Sequence, residues 1–284
     1  MKTLYVSDLD GTLLRSDART SAYTNSVINR LTAQGMVFSY ATARSVITAK
    51  KVTEGMSEEL PLIVYNGAFV IDSLTGERLL EQYFDDAVYP LLDDLFTCGI
   101  YPIVYTVIGG EEKFSFIPAE CTRGMLTFLD SRQGDPRTNA VCSPEALKTG
   151  RIFYITCIDS PEKLEPLLQK YRHRFHCVYS IDMYSGEQWL EIMPKETTKA
   201  NAIKRLMEML RCSRLVVFGD GKNDIDMFRL ADEAYAVANA DDELKQYADA
   251  VILPNDEDGV AKWLEQHVPA ELRHQNTRKG QDHP

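Results

Sequence analysis

Thr3-Leu4-Tyr5-Val6-Ser7-Asp8-Leu9-Asp10-Gly11-Thr12 is the stretch whose reading decides the fold. Residues 3–7 are an apolar run that reads as a buried strand, and the run stops at an acid. The same punctuation recurs further along. Residues 36–41 (MVFSYA) end at Thr42-Ala43-Arg44, and residues 61–65 (PLIVY) end at Asn66-Gly67. Residues 214–218 (RLVVF) end at Gly219-Asp220-Gly221-Lys222-Asn223-Asp224. Helical patterns separate these runs: Val27, Ile28 and Leu31 fall at helical spacing within 21–34, and 45–54 reads as a second helix. Apolar strands alternating with helices predict a parallel sheet covered on both faces. In such a sheet the carboxyl ends of all strands share one edge, where ligands bind. The polar residues that end each strand are therefore expected to converge on one cleft.

The rhythm changes near residue 84. A hairpin is expected first, with Ala68–Ile71 and Arg78–Glu81 flanking a turn at Ser73-Leu74-Thr75-Gly76. A helix over 86–97 follows, then strands at 100–108 and 111–117 joined through Gly109-Gly110. A helix over 120–131 leads to a polar loop, 132–149. Beyond it lie a strand (151–158), a helix (161–172) and two strands (175–182 and 187–193). After Pro194 the first rhythm returns, with helices over 198–211, 224–231, 241–247 and 259–267 and strands at 214–218, 235–238 and 250–253. The reading is an α/β fold: a discontinuous, Rossmann-like parallel-sheet core (1–83 and 190–268) with an inserted α+β cap domain (84–189). Residues 269–284 form a polar tail.

Spacing brings chemistry to the edge. Asp8 and Asp10 are two apart, so in extended chain they point to the same side. Carboxylates pressed together repel unless a cation lies between them or one holds a proton. Asp220 and Asp224 add two more acids at another strand end. Four acids on one edge call for a hard divalent cation with oxygen ligands, and Mg²⁺ fits. Thr42 offers a hydroxyl and Lys199 an ammonium, both suited to phosphate oxygens.

Composition narrows the field. The 284 residues are 44% hydrophobic and 26% charged, enough for a substantial core. The formal net charge of −11 argues against nucleic acid and against docking on anionic membrane. No stretch approaches the ~20 apolar residues of a membrane span, and the start of the chain does not read as a signal peptide. The six cysteines form no CxxC pair and are expected to be reduced, which places the protein in the cytoplasm. The segment from Asp220 is no calcium loop, because Ile225 stands where the sharp turn needs glycine. Gly221-Lys222 is not a P-loop, and the single Gly219-x-Gly221 lacks the third glycine of a dinucleotide site. Oligomeric state leaves no legible pattern.

Taken together, DLDGT after an amino-terminal strand, the Thr of ATAR, the lone lysine before a helix (Lys199) and GDGKND resemble the four motifs of the haloacid dehalogenase superfamily. Tyr65-Asn66-Gly67-Ala68, Glu191-Ile192-Met193-Pro194, Ala236-Val237-Ala238-Asn239-Ala240 and Asp258-Gly259-Val260 resemble its Cof-type phosphatases, which carry a large α/β (C2B-type) cap. The likeness covers nearly all of residues 1–267; Ala43 and Ala200 stand where the family often has glycine. The resemblance implies that Asp8 is the nucleophile and Asp10 the general acid and base. It implies phosphate contacts from Thr42, the backbone at Ala43, Lys199 and Asn223, with Arg44 and Asn66 behind them. It implies Mg²⁺ on Asp8, the main-chain carbonyl of Asp10, Asp220 and Asp224. The expected activity is a phosphatase on small phosphorylated metabolites, sugar phosphates first. A sugar phosphomutase or phosphotransferase with the same intermediate is the alternative, and a non-catalytic ligand-binding relative a third. Gly109–Lys113 and Tyr184–Gln188 are candidate specificity segments.

Overall fold

The computed structural model describes residues 2–57, 59, 61–181 and 186–268. Tyr184 and Ser185 of the second specificity segment and the tail at 269–284 lie outside the described residues. The chain forms two compact units. One runs to Glu81 and resumes at Thr198; the other is Gln82–Thr197.

The first unit opens with β1 (Thr3–Ser7), α1 (Ala22–Ala33), β2 (Val37–Tyr40), α2 (Val46–Val52), β3 (Leu62–Val64), β4 (Phe69–Ile71) and β5 (Arg78–Glu81). The second contains α3 (Val88–Thr97), β6 (Ile103–Ile108), β7 (Glu111–Phe116), α4 (Arg123–Asp130), β8 (Thr138–Ala140), β9 (Arg151–Ile158), α5 (Pro161–Tyr171), β10 (His176–Ile181) and β11 (Gln188–Met193). The first then resumes with α6 (Lys199–Leu210), β12 (Arg214–Gly219), α7 (Ile225–Leu230), β13 (Glu233–Val237), α8 (Asp242–Lys245), β14 (Ala250–Ile252) and α9 (Gly259–His267).

Five parallel strands in the order β14-β13-β12-β1-β2 make the main sheet of the first unit. β1 is central, in register with β12 from Thr3↔Arg214 to Ser7↔Phe218. Every residue from Leu4 to Ser7 is buried, as a strand covered on both faces requires. Side-chain caps start several helices of this unit. Ser21 accepts from the Thr24 N–H, Ser45 from the Thr48 N–H and Thr198 from the Asn201 N–H, each satisfying an orphan first-turn donor.

The third apolar run does not extend the parallel sheet. β3 pairs antiparallel with β4, and β4 with β5, as a separate three-stranded sheet. Its link to β2 is one parallel bridge, Ala41↔Ile63. β4 occupies one edge of β3, and the other edge meets the chain just beyond β2, where the Thr42 N–H bonds the Ile63 carbonyl and the Tyr65 N–H the Arg44 carbonyl.

The second unit has a six-stranded sheet, β10-β11-β9-β6-β7-β8, antiparallel except for β7 with β8. Its core includes Leu92, Leu95, Val104, Ile155, Leu164, Leu190 and Ile192. Two differences from the sequence reading follow from strand pairing. β8 lies within the segment read as a polar loop, held by pairing Phe114↔Thr138 to Phe116↔Ala140. The first unit resumes at Thr198 rather than residue 190, because Gln188–Met193 pairs along its whole length with β10. No helix among the described residues is long and apolar enough to cross a membrane.

Candidate active site

The chain does not stay extended beyond β1. Asp8 has ψ 163°, but residues 9–13 wind into one wide turn, closed by the Leu14 N–H on the Leu9 carbonyl at 2.9 Å. Asp10 itself keeps extended geometry, φ −69° and ψ 123°, inside that turn, and its charge is felt at Asp8. Asp10 also pairs with Arg44, its Oδ2 accepting from Nε at 2.8 Å and its Oδ1 from Nη2 at 2.6 Å. That bidentate geometry is the strongest form of carboxylate–guanidinium contact.

Asp8 meets two acids from the other half of the unit. One carboxylate oxygen each from Asp8, Asp220 and Asp224 lies within 4.8 Å of the others. Lys199, the first residue of α6, bridges two of them: its Nζ donates to Asp8 Oδ1 at 2.6 Å and to Asp224 Oδ1 at 2.7 Å. Asp8, Lys199 and Asp224 are all buried. The other Asp224 oxygen accepts from the N–H groups of Asp220 and Gly221, both at 3.1 Å. Thr12 Oγ1 donates to Asp220 Oδ1 at 2.9 Å.

Two glycines make this packing possible. Gly11 has φ +74°, and a Cβ there would lie 2.2 Å from Asp220 Oδ2. Gly67 has φ +99°, and its Cβ would lie 2.3 Å from the carbonyl oxygen of Thr198, the N-cap of the helix that carries Lys199. Only glycine takes such a conformation without cost while admitting the approach.

Fully ionised, three carboxylates against one ammonium would carry a surplus of negative charge, which favours a proton or a cation among them. Burial pushes the Asp8 carboxyl well above the usual range; Lys199 opposes this, and Asp224, Asp220 and Asp10 add to it. Burial, then Asp224, raises Asp220 to about 7. Burial alone would lower Lys199, but Asp224 and Asp8 outweigh it and raise it. Close oxygen donors with uncompensated charge fit a hard divalent cation.

The remaining predicted residues are distributed around this centre. Thr42 is buried at the end of β2; its N–H bonds the Ile63 carbonyl and its Oγ1 accepts from the Arg44 N–H at 3.1 Å. Ala43 is half-buried beside it. Asn66 is buried with φ +53°, and its N–H bonds the Thr42 carbonyl. Asn223 is exposed, in the short turn Lys222–Asp224. Sequence reasoning gave no role to Gly11, Thr12 or Asn239, whose Nδ2 donates to the Gly11 carbonyl at 2.7 Å. All three lie within motifs already singled out, and that was the available signal. Gly109-Gly110 form the β6–β7 turn. Glu187 and Gln188 line a cavity of about 430 Å³ in the second unit, beside Thr122, Arg123 and Ser160.

The fold and the cluster define an α/β protein with a lysine-bridged acidic site at the carboxyl edge of a parallel sheet. Comparison with known proteins agrees. The profile of the haloacid dehalogenase-like hydrolases matches residues 5–264, and the chain belongs to that family. It is 28% identical to the 5-amino-6-(5-phospho-D-ribitylamino)uracil phosphatase YwtE of Bacillus subtilis, over 91% of this chain and 96% of the relative. It is 26% identical to a second phosphatase of that description, YitU of the same organism, over 93% of this chain and 97% of the relative. A solved haloacid dehalogenase-like hydrolase from B. subtilis shares the fold, with a TM-score of 0.76 at 24% identity, covering 95% of this chain and all of the other.

Proposed function

We propose that this chain is a Mg²⁺-dependent phosphatase of small phosphorylated metabolites, sugar phosphates first, acting through an aspartyl-phosphate on Asp8. The observation that carries this reading is the buried Asp8 carboxylate, held by Lys199 and crowded by two further acids. A cation held by Asp8, the Asp10 carbonyl, Asp220 and Asp224 would offset the surplus charge and polarise the phosphoryl group.

In this scheme an Asp8 oxygen attacks phosphorus as the bond from phosphorus to the leaving oxygen breaks. Asp10 gives its proton to that leaving oxygen, then takes a proton from the water that attacks the aspartyl-phosphate. Phosphate departs and the Asp8 carboxylate is restored. Each Asp10 oxygen accepts one bond from Arg44 and keeps a second lone pair for the proton it exchanges with the substrate. Lys199 neutralises the nucleophile and then the transferring group. Thr42, the Ala43 N–H, Asn66 and Asn223 are assigned to phosphate and substrate.

The name of the relative YwtE describes a phosphomonoester on a ribityl chain, which supports the sugar-phosphate class. The inserted unit is assigned the part of a cap that selects the substrate. The six free cysteines support a cytoplasmic setting.

The test is phosphate release from a panel of phosphorylated metabolites, with and without Mg²⁺, for wild type and Asp8→Asn. Release should need Mg²⁺ and fall by roughly 10⁴-fold or more in Asp8→Asn. Undiminished release by Asp8→Asn would refute the covalent mechanism. No release from any substrate by folded wild-type protein would refute the function.

A further inference from the structure

The turn after β13 reaches both loops that carry the acidic site. It is a tight turn, closed by the Ala240 N–H on the Val237 carbonyl at 2.9 Å. From it the Asn239 Nδ2 donates to the Gly11 carbonyl at 2.7 Å, and the Asp241 N–H donates to the Asp220 carbonyl at 2.8 Å. Gly11 and Asp220 are the two residues packed against each other at the cluster. A second amide braces the first. Asn239 Oδ1 accepts from the Asn255 N–H at 3.0 Å, and the buried Asn255 Nδ2 donates to the Leu14 carbonyl at 2.9 Å.

These ties matter because the loop is weakly held from within. Asp10 and Gly11 leave helical geometry inside the wide turn at residues 9–13, so the turn lacks the regular ladder of an α-helix. The two amides grip it from outside, at Gly11 and at Leu14. The Asn239 amide also has a fixed sense, since its oxygen is committed to the Asn255 N–H and its nitrogen to the Gly11 carbonyl.

We propose that Asn239 is a positioning residue: it anchors the Gly11 carbonyl and so fixes the loop of Asp10 and Thr12 against Asp220. It acts through that loop and touches no reacting atom. The proposal rests on the phosphatase reading for its effect on rate, but not for its effect on the loop. Outer residues that orient a metal or catalytic group typically matter by 10–100-fold.

Asn239 is exposed, so substitutions there should leave the protein folded. Asn239→Ala removes both bonds. Asn239→Asp keeps the acceptor and the shape but sets an oxygen against the Gly11 carbonyl. In Mg²⁺ buffer, both full-length variants should show amide exchange over residues 9–14 faster by roughly 2- to 10-fold, the loss of about one hydrogen bond. Exchange over the β6–β9 strands should match wild type. The kcat should fall about 10–100-fold with KM nearly unchanged. Wild-type exchange over residues 9–14 in both variants would overturn the proposal. So would unchanged kcat, or a raised KM at unchanged kcat, which would make Asn239 a substrate contact. If wild type itself hydrolyses no phosphomonoester, the phosphatase reading falls, and the exchange comparison alone decides whether Asn239 holds the loop.

Discussion

Lys199 and Arg137 are both buried, and each is bonded to two carboxylates. Arg137, in the second unit, uses its planar fork fully. Nε and Nη2 donate to the two oxygens of Asp135 at 2.9 and 2.6 Å, and Nη1 donates to Glu112 at 2.8 Å. Burial pushes the Asp135 carboxyl up, yet its bonds to Arg137, with Arg132 nearby, hold it below the usual range. Lys199 offers a point charge to Asp8 and Asp224, while Asp220 accepts from Thr12. There burial wins, and Asp8 is pushed up. A buried cation among acids is thus no signature of function. The second unit matches Asp135 and Glu112 with Arg137 and the nearby Arg132; the first sets three acids against one ammonium at a strand edge, a site suited to a cation.

Removing each cation should separate the two clusters. Arg137→Met strands two buried carboxylates and should cost about 3–5 kcal/mol of stability, read by urea denaturation of the full chain. Where folded, that variant should keep wild-type kcat. A loss under about 1 kcal/mol would mean that the second cluster is as incomplete as the first. Lys199→Met should lower kcat by roughly 10²–10³-fold. An unchanged kcat would make Lys199 as purely structural as Arg137.

The subtlest difference lies in pH. With Asp220 raised from 3.8 to about 7, the folded protein binds more protons than the unfolded chain between those values. Stability from this group is therefore lost as pH rises through that window. The metal-free melting temperature should fall from pH 5 to pH 7.5 less steeply in Asp220→Asn than in wild type. Mg²⁺ should raise it more at pH 8 than at pH 5. Equal Mg²⁺ effects at both pH values would show that the cluster carries no surplus charge.

The strand ends were legible because apolar runs that stop at Asp8, Thr42 and Asp220 are a one-dimensional pattern. Lys199 was found through the company of the other motifs, since a lysine at a helix start is common alone. The Asp10–Arg44 pair was not legible, because it depends on the turn at residues 9–13, which no periodicity reports. Asn239 was hidden for a similar reason: its amide nitrogen bonds a backbone carbonyl 228 residues earlier in the chain, and a side chain is silent about such a partner. β3 read as parallel because local apolarity fixes that a strand forms, while the nearby hairpin decides with what it pairs.

The discontinuity of the first unit also orders events in time. β1 pairs on one side with β2, which follows soon after it, and on the other with β12, which begins at Arg214. A ribosome adding about 5–20 residues per second leaves that second edge of β1 open for roughly 10–40 s. An unpaired apolar strand is a template for wrong partners. The strands of Gln82–Thr197 are all synthesised within this interval, so that unit can fold first. Asp8 is synthesised long before Lys199, Asp220 and Asp224 and meets them only once they have emerged. The nascent chain is thus spared the repulsion of its crowded acids until the rest of the sheet is there to contain it.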